Sequence, residues 1–286
     1  MIMKKIAVIM SALCVLLSPS ISMATNPDQD LKDFRKDFAD RFPDTSFADF
    51  NNGVYAIDKA SHEQWVSLEE FPSYEIYVDK GEKLFNTPFK NGKSYSDCFP
   101  KAKQGIKQDY PYFDEARKEV VTLPMAINEC RKANGEEPLK YGKGAIAHIE
   151  AYLAFKSRGK KVNVKIPNAD ALAWYERGKK HFYTKRGQLN MSCADCHVSY
   201  SGRYIRADIL SPALGHPTHF PAYRNAWSIS ADDGDGMGSL HRRYDGCNKQ
   251  VRAKPFPAQS EEYRSLEYFE TFMSNGLTLN GPGIRK

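Results

Sequence analysis

The sequence predicts an all-α protein: two tandem units, the first a degenerate copy of the second, preceded by an N-terminal extension. Three observations carry this. A Cys-x-x-Cys-His motif stands in the second half, an internal repeat relates the two halves, and apolar runs at helical spacing end at glycine in both. At 286 residues the chain is longer than one small domain requires.

The elements follow in chain order. Met1-Ile2-Met3-Lys4-Lys5, the apolar run Ile6 to Leu17 and Ser22-Met23-Ala24 read as an export leader over residues 1–24, with the mature chain starting near Thr25. The run is short of the roughly 20 apolar residues that span a bilayer, and no later stretch does so; no membrane span is expected. Cys14 follows Leu13, where a lipidation signal wants a small residue and a cysteine at the cleavage point. An exported, periplasmic protein is the expectation. The formal charge of +6 falls to about +4 once Lys4 and Lys5 leave, and no basic patch interleaved with aromatics points to nucleic acid. Residues 25–75 form an extension rich in aromatic and charged residues, partly helical.

Cys193-Ala194-Asp195-Cys196-His197 carries the chemistry. Two thiols three positions apart add to the two vinyl groups of one haem, and the adjacent imidazole then lies under the iron as proximal ligand. Zinc would want a second ligand pair at similar spacing, and a thioredoxin-like motif would want a βαβ setting; neither is present. One covalently bound haem c is expected at Cys193, Cys196 and His197.

Tyr175-Glu176-Arg177-Gly178-Lys179-Lys180-His181-Phe182 precedes that motif, and Tyr77-Val78-Asp79-Lys80-Gly81-Glu82-Lys83-Leu84-Phe85 stands upstream in the same pattern. Gly178 lies 18 positions before Cys196 and Gly81 lies 17 before Cys98, so Tyr95 falls where Cys193 would be and Phe99 where His197 would be. The first copy has lost one thiol and the histidine and should carry no haem. The closing segments match too: Ile149 to Gly159 resembles Leu266 to Gly276, with glutamate, phenylalanine, serine and glycine at equal offsets. Ser260, followed by Glu261 and Glu262, suits a helix N-terminus, as do Asn168 and Asp170 after Pro167. Each copy thus reads as an opening helix, an irregular middle and a closing helix, the order of a cytochrome c fold, whose first and last helices cross through a glycine and an aromatic. Gly81 with Phe85 and Gly178 with Phe182 are the candidates. The expected domains are residues 76–162, a degenerate haem-free unit, and 163–286, the haem-binding unit, with Lys160 to Pro167 as connection.

Beyond Cys14, five cysteines remain, and haem takes two. Cys130 lies 19 positions before Ile149 and Cys247 lies 19 before Leu266, so they are equivalent in the repeat. If Cys247 approaches the haem, Cys130 approaches the corresponding space in the first copy and meets Cys98 there. A Cys98–Cys130 disulfide standing in for the missing haem is therefore expected in an oxidising compartment, leaving Cys247 without a cysteine partner.

Spacing alone leaves the sixth iron position open among His216, His219, Met237, His241, Cys247 and Met273. The segment from His241 to Lys254 favours Cys247, because it brackets that thiol with basic side chains. Guanidinium groups stabilise a thiolate and hold small oxyanions in charge-assisted contacts. The rival is a periplasmic electron-transfer cytochrome c with methionine or histidine as sixth ligand and no sulfur chemistry of its own.

Arg243-Tyr244-Asp245-Gly246-Cys247-Asn248-Lys249-Gln250-Val251-Arg252-Ala253, the motif Cys193 to His197, and Phe47-Ala48-Asp49-Phe50-Asn51-Asn52-Gly53-Val54-Tyr55-Ala56 through Glu69-Glu70-Phe71-Pro72 together resemble the SoxA family. These are the larger cytochrome subunits of the bacterial thiosulfate-oxidising SoxAX complex, and the resemblance covers nearly the whole mature chain. It implies two cytochrome c-like domains, a periplasmic location and a heterodimer with a small c-type cytochrome, SoxX. It also implies an L-cysteine S-thiosulfotransferase activity that oxidatively conjugates thiosulfate to a cysteine of the carrier SoxYZ. Electrons then leave through haem toward an acceptor cytochrome c. By resemblance His197 and Cys247 are the axial ligands, Cys247 is carried as a persulfide, and Arg243 is the active-site arginine. Some members bind two haems; the departures at Tyr95 and Phe99 imply the single-haem type. Arg242, Lys249, Arg252 and Lys254 are expected to widen a positive entrance.

Overall fold

The structure, a computed structural model, describes residues 26–285; the expected leader over residues 1–24 lies outside the described residues. Among the described residues ten α-helices run in chain order: α1 (Pro27–Arg41), α2 (Lys59–Glu69), α3 (Glu75–Asn86), α4 (Tyr95–Cys98), α5 (Leu123–Ala133), α6 (Ala145–Lys156), α7 (Ala169–Tyr183), α8 (Asn225–Ile229), α9 (Leu240–Gln250) and α10 (Glu261–Met273). Short strands lie between them: β1 (Tyr112–Asp114), β2 (Glu119–Val121), β3 (Tyr204–Ile205), β4 (Asp208–Ile209), β5 (Ala222–Arg224), β6 (Met237–Gly238) and β7 (Gly283–Arg285). The helical expectation holds as a mostly helical fold, with small sheets between the helices. These strands run for two or three residues, too short to print a period of two on the sequence.

Two helix pairs organise the molecule, α3 against α6 and α7 against α10. A Cβ placed on Gly81 would fall 1.9 Å from the carbonyl oxygen of His148, and one on Gly178 would fall 2.0 Å from that of Ser265. Only glycine permits backbones to approach this closely. His148 and Ser265 are equivalent in the repeat, as are their neighbours Tyr152 and Phe269, which flank the same two glycines. Both helix pairs therefore cross at the same position in the same manner.

The expected ends are in place. Asn168 accepts from the Ala171 N–H at 2.9 Å and caps α7. Ser260 accepts from the Tyr263 N–H and caps α10. Gly159 and Gly276 follow α6 and α10 with φ of 81° and 82°, the left-handed conformation of a C′ glycine. Ser157 Oγ takes the Ile106 and Lys107 N–H groups, and Ser274 Oγ takes that of Gly215, so each closing helix anchors its own preceding loop.

The middle of each unit is more ordered than the sequence suggests. Cys130 sits on α5 and Cys247 on α9, at matching places. Helix α9 escaped notice because it is largely polar, buries only Leu240, His241 and Tyr244, and contains Gly246 and Asn248, both weak helix formers.

Two apolar cores result. One gathers Tyr77, Phe85, Phe89, Tyr95, Phe99, Ile127 and Tyr152 around α3 and α6. The other surrounds α7 and α10, and the N-terminal extension is part of it: Phe34, Phe38 and Phe50 are buried there with Tyr175, Phe182 and Phe269. Asp30 of α1 fixes this docking by accepting from the Tyr175 hydroxyl at 2.8 Å and Lys179 Nζ at 2.7 Å. The cores are joined by backbone bonds between Lys160–Val162 and Leu277–Leu279. Strand β5 pairs antiparallel with β6 and parallel with β7.

Candidate haem and thiol site

The Cys-x-x-Cys-His segment is braced from both sides. Ser192 N–H donates to the Asp195 carboxylate at 2.8 Å and Asp195 N–H donates to Ser192 Oγ at 3.0 Å. Asp195–Ser199 then forms a π-type turn, the wider winding that recurs at functional sites. In the first unit the Ser94 N–H and hydroxyl both donate to Asp97 at the equivalent place, so the brace outlasts the loss of Cys193 and His197 counterparts.

His197 is buried, and its Nδ1 lies 2.9 Å from the Ser211 carbonyl oxygen. A carbonyl only accepts, so Nδ1 carries the proton and Nε2 keeps its lone pair. Burial lowers the pKa of His197 below that of a free imidazole, which holds the ring neutral, the form that ligates a metal. Burial also pushes the Cys193 thiol well up, and raises that of Cys196. Thioether formation would convert both into neutral sulfurs that suit an apolar wall.

These groups face a cavity of about 950 Å³. Its walls include Cys193, Cys196 and His197 from the motif, Arg243, Tyr244 and Cys247 from α9, and Glu270 from α10, with Leu189, Leu210, Leu240, Val251 and Leu266 supplying apolar surface. Arg243 and Cys247 are four residues apart on one helix, hence on one face. The apolar lining, the two thiols and the free imidazole nitrogen fit a covalently attached haem, with Cys193 and Cys196 as attachment points and His197 as a ligand.

Most rivals for the sixth position are placed elsewhere. Met237 is fully buried in the first unit's core, beside Tyr77 and Ile146. Met273 is buried in the second core and does not line the cavity. His241 Nδ1 accepts the Gln259 N–H, and its Nε2 lies 2.9 Å from Glu267. His219 lines only an adjoining cavity. His216 does line the site, but its ring lies 4.5 Å from that of His197 and its Nε2 engages Ser211 Oγ at 2.9 Å, on the proximal side. Cys247 is the candidate sulfur left facing the cavity.

The positive entrance is narrower than expected. Arg242 turns away, stacking on Trp227 at 4.4 Å and donating to the Met237 carbonyl. Lys249 pairs with Asp245 in solvent, and Arg252 reaches Gln188. Arg243 remains in the cavity wall.

Several wall residues escaped sequence reading, Arg186 and Glu270 among them. Glu270 accepts from the buried Tyr244 hydroxyl, and burial pushes its carboxyl up to about 7. Its repeat equivalent is Leu153, and Arg243 is matched by Ala126; polar residues gained in one copy only were the available signal. Met191, next to the attachment motif, and the half-buried His181, whose pKa is lowered to about 4 mainly by desolvation, also line the wall.

Comparison with known proteins gives a consistent result. The family profile described as the SoxA/TsdA cytochrome c domain matches residues 80–162. The chain is 56% identical over 259 residues to the L-cysteine S-thiosulfotransferase subunit SoxA of Chlorobaculum tepidum, covering 91% of this chain and 88% of that one. The protein of the same description from Allochromatium vinosum is 52% identical, over 92% of each chain. A crystal structure of SoxXA from P. pantotrophus superposes with a TM-score of 0.69 at 31% identity, covering 78% of this chain and 84% of that one.

Proposed function

From a chain that belongs to the SoxA family, we infer the cytochrome subunit of an L-cysteine S-thiosulfotransferase, acting in the periplasm with a SoxX-like small cytochrome. The observation that carries this is the single cavity whose walls hold Cys193, Cys196, His197, Arg243 and Cys247 together.

One haem c is assigned to the second unit, where Cys193 and Cys196 would hold it covalently and His197 and Cys247 would ligate its iron. When bound, the haem supplies a one-electron redox centre at a potential lowered by thiolate ligation. The first unit, residues 76–162, is a haem-free relative of the second, residues 163–286, and residues 25–75 act as a brace on the latter. Buried Tyr95 and Phe99 and the Cys98–Cys130 disulfide support that reading of the first unit.

Arg243 would hold the thiosulfate oxyanion by charge-assisted hydrogen bonds and keep the Cys247 sulfur anionic. Cys247, carried as a persulfide, presents the sulfur against which thiosulfate and the carrier thiol would be brought together, and it is regenerated unchanged. Joining the outer sulfur of thiosulfate to the cysteine thiol of a SoxYZ-like carrier makes one S–S bond and releases one proton and two electrons. The electrons leave singly toward the partner's haem and an acceptor cytochrome c. The apolar wall formed by Leu210, Leu240 and Leu266 limits water around the reacting sulfur. The electron-carrier alternative loses its main ligand, because Met237 lies in the other core.

The test compares wild type with Cys247→Met, each assayed with the co-purifying small cytochrome and a cysteine-bearing carrier for thiosulfate-dependent reduction of an acceptor. Retained covalent haem with turnover lower by roughly 10³-fold or more is expected. Equal turnover would make this chain an electron carrier.

A further inference from the structure

A second cavity adjoins the first and shares His197, Leu210, His216 and Arg243 with it. Its remaining wall carries Arg224, Arg285 and His219 in place of Cys193 and Cys196. The groups that face the iron position thus line both spaces, the thiols line one end, and Arg206, Arg224 and Arg285 line the other.

Arg224 and Arg285 are set against each other by the fold. Arg224 ends β5, Arg285 ends β7, and the parallel register places them opposite one another. Like charges in register repel. Arg285 donates to the backbone carbonyls of Ile284 and Asn52, lies over the Tyr55 ring, and is acted on by the Tyr55 hydroxyl and the Glu69 carboxylate. Arg224 lies over Trp227 at 5.6 Å, and neither guanidinium has an ion pair among the described residues. Burial brings the Arg224 pKa down to about 10, with Arg243 and Arg285 adding to the effect and Asp208 opposing it. Asp58 also lines this space, but its carboxylate caps α2 through the Ser61 N–H. Beside the pair, His219 is 3% exposed and its Nδ1 has no partner. Gly53, at φ 61°, leaves the space open: a Cβ there would lie 3.5 Å from Arg285 Nη2 and 3.8 Å from His219 Cε1.

We propose that Arg224, Arg285 and His219 bind the two propionate carboxylates of the haem, leaving Arg243 free for thiosulfate and for Cys247. The assignment rests on the haem reading above and deepens it. A haem attached through its vinyl groups carries its propionates on the opposite edge of the macrocycle, and the arginine pair lies at the end of the joined cavity away from the thiols. Two carboxylates offset two guanidiniums, and the planar fork of arginine suits bidentate contact. The last strand is thereby part of the haem site, and Arg224 and Arg285 are separated in role from Arg243.

The haem-loaded complex with its small cytochrome partner tests this through Arg224→Gln, Arg285→Gln and Arg285→Lys. Covalent haem is counted as the pyridine haemochrome, propionate bending bands are read as variant-minus-wild-type resonance Raman differences, and KM for thiosulfate is measured. Wild-type haem content, shifted propionate bands and a KM changed by less than about twofold are expected. Unshifted bands with a raised KM would overturn the assignment and give these arginines to the substrate anion. If the glutamine variants do not mature, Arg285→Lys decides alone, shifted bands supporting the clamp and unshifted bands removing it. Wild-type protein without covalent haem would instead sink the haem reading, a failure visible before any arginine is changed.

Discussion

The two units share one helix crossing and differ in what occupies the space beside it. In the first, Tyr95 stands where Cys193 stands in the second; its ring lies 4.8 Å from Phe89 and 5.7 Å from Phe85, and the Cys98–Cys130 disulfide closes the gap beneath α5. In the second, the same place opens into a cavity of about 950 Å³. The Ser–Asp brace, the closing-helix serine and the glycine crossing persist in both. The crossing therefore does not depend on what fills the pocket. It depends on backbone approach at Gly81 and Gly178, while aromatic rings and a covalent cross-link fill the first pocket.

The strongest way to break this comparison is at the crossings themselves. Gly81→Ala and Gly178→Ala each drive a methyl group into a backbone carbonyl that has no rotamer to escape by. Each is expected to cost ~3 kcal/mol or more, measured by denaturant unfolding of the haem-loaded protein. A large loss at one glycine and a negligible one at the other would end the equivalence. Next in size, Cys98→Ser with Cys130→Ser releases a cross-link spanning 32 positions and is expected to cost about 2–4 kcal/mol. Covalent haem and the thiosulfate-dependent rate should stay near wild type in that variant, because the disulfide lies in the other unit.

The smallest effect sharpens the comparison at an equivalent pair. Glu150 of α6 lies 3.7 Å from Lys107, whereas its counterpart Glu267 meets His241. Burial pushes the Glu150 carboxyl up to about 7, with Lys107 opposing that shift. An acid raised on folding binds its proton more tightly in the native state, so stability falls as pH rises from its ordinary range through about 7. Glu150→Gln should flatten that slope, gaining on wild type by about 1–3 kcal/mol at pH values above it. Thermal unfolding of both proteins at several pH values is the measurement. Parallel slopes would mean that Lys107 keeps the carboxylate ionised throughout.

Legibility in the sequence followed chemistry rather than length of element. The thiols and imidazole of Cys193, Cys196 and His197 were readable because the attachment proposed for them would fix their spacing locally. The Cys98–Cys130 bond was readable because repeat equivalence converts one contact into another, and the structure contains it. Helix α9 was not, since a helix that puts Arg243 and Cys247 in a cavity wall and buries only Leu240, His241 and Tyr244 lacks the apolar stripe that betrays helices. Nor was the role of the extension: Phe34, Phe38 and Phe50 are spaced as ordinary aromatics, and nothing local says which core they enter.

The sequence by itself determined the attachment motif, the repeat, the glycine crossings and the helix ends, because each is set by residues within a few turns of one another or by comparing one half with the other. Tertiary structure alone decided that Cys247 and not Met237 faces the cavity, that Arg224 and Arg285 meet across parallel strands, and that Glu270 is buried beside Tyr244. These pairings join positions far apart in the chain, and burial and charge act through distance in space, which a linear sequence does not record.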